Sequence, residues 1–133
     1  VEGTTSYFPV FVDGALFSIG DPHVAQGDGE VSGTAIEGPL RVVYEIHVVK
    51  EGRDIPSPQY ETDHSYSVTG YGVTIDDAAK MAIRAMIDYI VDQTGMSRTE
   101  AYVLASLSAD LKIAETVDVP HMLVTMTIPK HIF

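Results

Sequence analysis

The segment from Gly20 to Glu30 concentrates the side chains that are able to carry out chemistry. It contains two Asp, one His, one Gln and a closing Glu within eleven residues. Asp21 and His23 are two residues apart, so in extended backbone their side chains point to the same face. A carboxylate and an imidazole are donors that suit zinc, and oxygen donors also suit calcium. The spacing therefore predicts a divalent metal, zinc or else calcium, held by Asp21 and His23.

The glycines of the same segment allow a second interpretation. Gly27 and Gly29 flank Asp28 and let the backbone turn sharply or approach a ligand closely. A turn-rich loop whose Asp side chains cap backbone amides has a similar composition, and spacing alone does not choose between the two. The order of residues does not match a calcium-binding loop of the helix-loop-helix type.

The composition limits the class of protein. The 133 residues are enough for one domain, and 19 acidic against 8 basic residues give a net charge of -11. Nucleic acids and anionic membranes are unfavourable partners for such a chain. The absence of cysteine excludes disulfides, thiolate zinc sites and a cysteine nucleophile, and it fits the cytoplasmic location that we expect. No run of about 18 apolar residues is present to span a membrane.

Two kinds of hydrophobic periodicity predict the elements that position the loop. Period-two patterns predict strands, and the longest of them is Leu40–Lys50. Residues 7–19 read as a hairpin around Asp13-Gly14, and residues 30–37 read as a strand leaving the Gly20–Gly29 loop. Further strands are predicted at residues 59–62, 65–71, 111–116 and 122–128, the last two around a turn at residues 118–120.

A helical period replaces the strand pattern in the middle of the chain. Thr74 is a suitable N-cap, Gly95 a stop signal, and Ser97 with Glu100 forms a capping-box pattern. These signals predict a two-helix hairpin near residues 74–108. The order of strands, helices and strands predicts an α+β fold, with the helices on one side of a mainly antiparallel sheet.

Several segments together resemble the acetamidase/formamidase family. The main motif runs through residues 15–23, 26–30 and 34–37, and weaker likenesses follow at residues 96–97, 100–102, 110–111 and 117–118. The resemblance implies a hydrolase that cleaves short linear amides to ammonia and a carboxylate. It also implies a sandwich-like β core. Family members are about twice as long, so residues 1–133 are expected to be a single domain that forms the C-terminal half of a larger protein.

Amide hydrolysis needs an activated water, a polarised carbonyl and a proton for the leaving nitrogen. With Asp21 and His23 as metal ligands, the resemblance makes Glu30 or Glu37 the general base and then the acid. Asp28 is expected to assist catalysis by orienting the water. Gln26 and Gly27 are expected to bind the amide.

The first residue is Val rather than Met, which adds to the expectation that part of the protein lies upstream. We therefore expect either a homo-oligomer or a complex with the missing N-terminal half. Two rival functions remain open at this point. One is a non-catalytic module that binds a metal or a small ligand, and the other is hydrolysis of a different carbon–nitrogen bond, such as that of a ureide.

Overall fold

The computed structural model describes residues 1–52 and 54–133, which form seven strands, two α-helices and a short 3-10 turn. The helices are α1 (Ile75–Thr94) and α2 (Arg98–Ser108), and the 3-10 turn is Lys130–Ile132. The strands are β1 (Thr5–Tyr7), β2 (His23–Ala25), β3 (Ile36–Glu37), β4 (Gln59–Glu61), β5 (Ser65–Gly72), β6 (Asp110–Glu115) and β7 (Met122–Pro129).

Five of the strands form one antiparallel sheet in the order β1-β4-β5-β7-β6. The remaining two, β2 and β3, pair with each other as a separate antiparallel ribbon. Helix α1 packs along the two central strands, β5 and β7, and α2 packs against α1. This arrangement confirms the α+β class, the mainly antiparallel sheet and the two-helix hairpin.

Local capping explains why the two helices begin and end where the sequence predicts. The Thr74 side chain accepts a hydrogen bond from the backbone N–H of Asp77, and Gly95 ends α1 with a φ of 72°. Ser97 and Glu100 form the reciprocal hydrogen bonds of a capping box at the start of α2. Within the described ranges, neither helix is long and apolar enough to cross a membrane.

The core lies between α1 and the two central strands. Val68, Met86, Ile90, Val124 and Ile128 are fully buried there. Glycine at positions 70 and 72 permits this close packing, because a Cβ on Gly70 would stand 2.2 Å from the backbone oxygen of Ala78. The opposite face of the central strands is polar, and the hydroxyls of Ser67 and Thr127 are 2.8 Å apart on it.

The prediction of a hairpin over residues 7–19 is wrong. Only Thr5–Tyr7 forms a strand at this end of the chain, and it pairs with β4. Pro9 lacks the N–H that a ladder requires, and Ala15 and Leu16 both have a φ of 55°. That left-handed backbone is incompatible with a continuous strand, so residues 8–20 run outside the regular elements.

The strand predicted over Leu40–Lys50 is absent from the described part of the chain. Its residues are exposed and lie outside every strand, with Val43 88% exposed. The alternating pattern is a local signal, whereas a strand also needs a neighbouring backbone to pair with.

The loop itself is more regular than the sequence predicted, and the segment after it is less so. Residues 20–29 include β2, although the Gly, Asp and Pro content predicted no regular element there. Of the strand predicted over residues 30–37, only Ile36–Glu37 is formed. Both differences have the same cause. β2 and β3 form only where the two segments pair with each other.

Candidate functional site

The β2–β3 ribbon positions the predicted metal ligands. His23 on β2 lies opposite Glu37 on β3, and the register then shifts before Ala25 pairs with Ile36. The N–H of Gly38 donates to the carbonyl oxygen of Pro22 at 3.2 Å, which extends the pairing by one step. Two segments separated by the ten residues 26–35 therefore present their side chains side by side.

Asp21, His23 and Glu37 form a cluster of three side chains that could hold a metal ion. His23 Nε2 lies 3.7 Å from Asp21 Oδ1 and 3.8 Å from Glu37 Oε1. The ligand atoms of all three residues are within 4.8 Å of one another. The structure therefore brings together the two residues predicted from spacing as ligands and places Glu37 beside them.

The cluster is partly open to solvent. The side chain of His23 is 21% exposed, whereas those of Asp21 and Glu37 are 80% and 63% exposed. Donors about 2.1 Å from a tetrahedral zinc ion stand roughly 3.4 Å apart, close to the distances from His23 to each carboxylate. Two carboxylates and one imidazole are also a donor set that zinc accepts. The residues present therefore fit a divalent metal.

Gly29 fixes the far end of the loop to the main sheet. Its N–H donates to the carbonyl oxygen of Ala114 at 3.0 Å, and its own carbonyl accepts from the N–H and the hydroxyl of Thr116 at 3.1 and 2.9 Å. Gly29 is buried with a φ of 91°, a conformation that side chains disfavour. The glycine is thus required where the loop meets the end of β6.

This anchoring brings Glu30 to Glu115, a carboxylate that the sequence analysis did not single out for the site. Glu115 contacts both Glu30 and Asp118. Burial, followed by the charges and hydrogen bonds of Asp118 and Glu30, raises the pKa of Glu115. The Glu-x-x-Asp spacing of residues 115 and 118 is a weak sequence signal for a functional site. These residues reach the loop through the contacts of Gly29, which the sequence does not reveal.

The other predicted site residues line the ribbon and the outside of the loop. Gln26 and Gly27 border an open depression of about 520 Å³, together with Ala25 and residues 34–36 of the opposite segment. Asp28 Oδ2 lies 3.9 Å from Lys112 Nζ, and both side chains are largely exposed. The depression thus adjoins the ribbon that carries the carboxylate–imidazole cluster.

Together these features define an α+β protein with a candidate metal centre on a small β-ribbon. The family model for the acetamidase/formamidase family matches residues 1–133. The chain belongs to the acetamidase/formamidase family.

Individual relatives agree with this assignment. A formamidase from Methylophilus methylotrophus is 29% identical over 154 residues. The crystal structure of an acetamidase from Bacillus halodurans has 32% identity and a TM-score of 0.83. A structure described as a predicted acetamidase/formamidase from Thermoanaerobacter tengcongensis has 31% identity and a TM-score of 0.91.

The chain is much shorter than these relatives. The matches include 98–99% of this chain, but 37% of the Methylophilus protein and 44% and 43% of the two solved structures. The chain therefore spans less than half the length of the relatives it matches.

Proposed function

We propose that this chain contributes a metal centre to an enzyme that hydrolyses short linear amides to ammonia and a carboxylate. The observation that carries the proposal is the convergence of Asp21, His23 and Glu37 on the β2–β3 ribbon. The resemblance to proteins named formamidase and acetamidase supports short linear amides as the substrates.

Zinc is the metal that we propose, with Asp21, His23 and Glu37 as its ligands. The imidazole favours zinc over calcium, because calcium prefers a shell made entirely of oxygen. A zinc ion held there would supply Lewis acidity, which polarises an amide carbonyl and makes a water molecule more acidic. Glu37 thus acts as a ligand in this proposal rather than as the base, since it lies beside His23.

Glu30 is the residue that we propose for proton transfer. It would accept a proton from the attacking water and deliver it to the leaving nitrogen. Its contact with Glu115 places a second carboxyl beside it, and burial together with the neighbouring acidic groups raises the pKa of Glu115. Asp28 would orient the water, and Gln26 and Gly27 would bind the amide in the adjoining depression.

The site is completed outside this chain. More than half the length of the matched relatives has no counterpart here, and the cluster is open to solvent on the side of its two carboxylates. We propose that the remaining polypeptide supplies further ligands and walls for the site, in an oligomeric protein located in the cytoplasm.

Ammonia release tests the proposal. The complete protein is incubated with formamide, acetamide and a ureide, before and after removal of metals with a chelator and again after addition of zinc. We expect release from the two short amides, loss on chelation and recovery with zinc. Binding of zinc without release from any substrate would overturn the proposal in favour of a non-catalytic module, and faster release from the ureide would change the substrate class.

A further inference from the structure

The ladder between β6 and β7 contains a bulge at Ala114. The register shifts between Ile113 and Glu115, so Ala114 is an extra residue on β6 without a partner on β7. A bulge leaves one residue of a strand unpaired and often lies next to a functional site. Here the unpaired residue binds the loop, because the carbonyl oxygen of Ala114 accepts from the N–H of Gly29 at 3.0 Å.

Thr116 contacts the same glycine from the other side of the bulge. Its backbone N–H and its hydroxyl both donate to the carbonyl oxygen of Gly29, at 3.1 and 2.9 Å. The backbone bonds from Ala114 and Thr116 form an isolated parallel bridge between Gly29 and Glu115. We name residues 114–116 the clasp, since they hold the N–H and the carbonyl of one glycine against the end of β6.

The clasp restrains the peptide unit that leads into Glu30. A peptide unit is planar, so the carbonyl of Gly29 and the N–H of Glu30 turn together. Thr116 holds the carbonyl end of this unit, and the N–H end donates to the carbonyl oxygen of Gly27 at 3.2 Å. The next peptide unit is restrained as well, because the carbonyl of Glu30 accepts from the N–H of Gly33 at 2.7 Å. Both peptide units that flank Glu30 are therefore fixed.

These restraints are needed because Glu30 has an unfavourable backbone conformation. Its φ of 42° lies in the left-handed region, which glutamate rarely adopts. Such a conformation persists only where the surrounding contacts over-determine it. Among the contacts just described, the hydroxyl of Thr116 is the one that a side chain supplies, so it is the one that a substitution removes cleanly.

The backbone of Glu30 determines where its carboxyl group points. The rotamers open to a side chain depend on φ and ψ, so a fixed backbone limits the directions of the carboxyl. Glu30 lies in the connection of residues 26–35 between β2 and β3, and its carboxyl contacts Glu115 of the clasp. A group that transfers a proton must lie within hydrogen-bond reach of it, and a displacement of about 1 Å can lower a rate strongly.

We propose that Thr116 is a positioning residue whose hydroxyl, acting through Gly29, holds the Glu30 carboxyl in the direction that proton transfer requires. The proposal rests on the proton-transfer role proposed above for Glu30. It gives Thr116 no contact with the amide or with the metal. Removal of the hydroxyl should therefore slow the chemical step and leave zinc affinity unchanged.

Amide hydrogen exchange tests the effect of the hydroxyl on the backbone. Thr116→Val removes the hydroxyl but keeps the branched shape of the side chain and the backbone N–H. In the complete protein we expect the amides of Glu30 and Gly33 to exchange about 5-fold faster, the factor that one ordinary hydrogen bond contributes. Thr116→Ser retains a hydroxyl and should restore slow exchange. Equal exchange in wild type and Thr116→Val would overturn the proposal.

Thr127→Val is the matched control for this experiment. It also removes a threonine hydroxyl, which lies 2.8 Å from the hydroxyl of Ser67 on the polar face of the sheet. We expect this variant to leave exchange at Glu30 and Gly33 as in wild type. Faster exchange of these two amides in Thr127→Val, to the extent seen in Thr116→Val, would overturn the proposal, because the effect would then come from general loss of stability.

A double-mutant cycle tests whether Thr116 acts through Glu30. Ammonia release from formamide is measured for the zinc-loaded complete protein as wild type, Thr116→Val, Glu30→Gln and the double variant. We expect Thr116→Val to lower kcat about 10-fold with KM unchanged, and Thr116→Ser to recover the rate. In the Glu30→Gln background the same substitution should have no further effect, because the group that it positions is gone.

The cycle also separates this proposal from the proton-transfer role of Glu30. A large loss of kcat in Glu30→Gln with an unchanged kcat in Thr116→Val would refute the positioning role alone. Losses that multiply in the double variant would refute it too, since Thr116 would then act independently of Glu30. An unchanged kcat in Glu30→Gln would refute the role of Glu30 itself and the positioning role with it.

Discussion

Unusual backbone conformations hold individual residues of the candidate centre in position. Asp21 has a φ of 54° and Glu30 a φ of 42°, both in the left-handed region. Such conformations cost about 1–3 kcal/mol each and occur frequently at functional sites. Asp tolerates the left-handed region better than most residues, because its short polar side chain hydrogen-bonds locally. The backbone therefore directs the Asp21 carboxylate towards His23 at an energetic cost that the ribbon must offset.

Substitution of Glu37 tests which residues make up the proposed metal centre. Glu37→Gln keeps the size of the side chain but replaces a charged ligand with a weak neutral one. We expect zinc affinity of the complete protein to fall by at least about 10-fold, measured by competition with a chromophoric chelator. The matched control is Glu51→Gln, which changes an exposed carboxylate outside the cluster and is expected to leave the affinity unchanged. Equal affinity in wild type and Glu37→Gln would exclude Glu37 as a ligand.

Glu115 provides a prediction about pH. Because its pKa is raised in the folded protein, its ionisation opposes folding, and this loss of stability develops as the pH rises. Glu115→Gln should therefore raise the free energy of unfolding at pH 7, and the gain should disappear below the ordinary carboxyl pKa of 4.5. Urea denaturation at several pH values measures this difference. A gain that stays constant with pH would contradict the assigned cause.

Residues close in sequence could be predicted to act together, and distant ones could not. Asp21 and His23 were paired from their spacing alone, because extended backbone places residues two apart on one face. Glu37 entered the cluster through strand pairing across the ribbon, and Glu115 reached Glu30 through the contacts of Gly29. Those relationships depend on tertiary structure, which a local pattern does not contain.

At the scale of secondary structure, the helices followed the sequence closely and the outer strands did not. The caps at Thr74 and Ser97 are local signals, and both act as predicted. The pattern of residues 40–50 predicted a strand equally clearly, but strand formation depends on a neighbour. Residues 40–50 have no paired strand among the described residues.

Gly70 controls the distance between α1 and the sheet. A methyl group at this position would stand 2.2 Å from Ala78 O and 2.4 Å from Ala82 N, both backbone atoms of the helix. Gly70→Ala should therefore force α1 away from β5 and destabilise the fold by about 3 kcal/mol. Chemical denaturation measures the loss. Gly27→Ala is the control, since no atom lies within 4 Å of the added group. Equal stability of the two variants would contradict this account of the packing.

The capping box of α2 should contribute less to the free energy of unfolding than the packing at Gly70. Ser97→Ala removes the hydroxyl that accepts from the N–H of Glu100, and we expect a loss of about 1 kcal/mol in the free energy of unfolding. Ser97→Thr retains a hydroxyl and should recover most of the loss. Thermal or urea denaturation of wild type, Ser97→Ala and Ser97→Thr checks their order of stability. A Thr variant as unstable as the Ala variant would show that the hydroxyl is not the stabilising group.

At the scale of the whole molecule, the fold separates a well-packed body from an exposed edge. The five-stranded sheet and the two helices bury the core, whereas the ribbon and the flanking residues 8–20 and 39–50 are mostly exposed. The loop joins the two through Gly29, whose N–H and carbonyl bond to the end of β6 and to Thr116. The body therefore supports the edge, which carries the cluster of Asp21, His23 and Glu37.

A zinc titration of the metal-stripped complete protein tests the central claim most directly. Ammonia release from formamide is followed as zinc is added to wild type and to the Asp21→Ala/His23→Ala variant, after circular dichroism has shown equal folding. We predict that the wild-type rate rises with zinc to a plateau, while the rate of the variant stays at the metal-free level. A variant that responds to zinc as the wild type does would contradict the assignment of the metal centre to this ribbon.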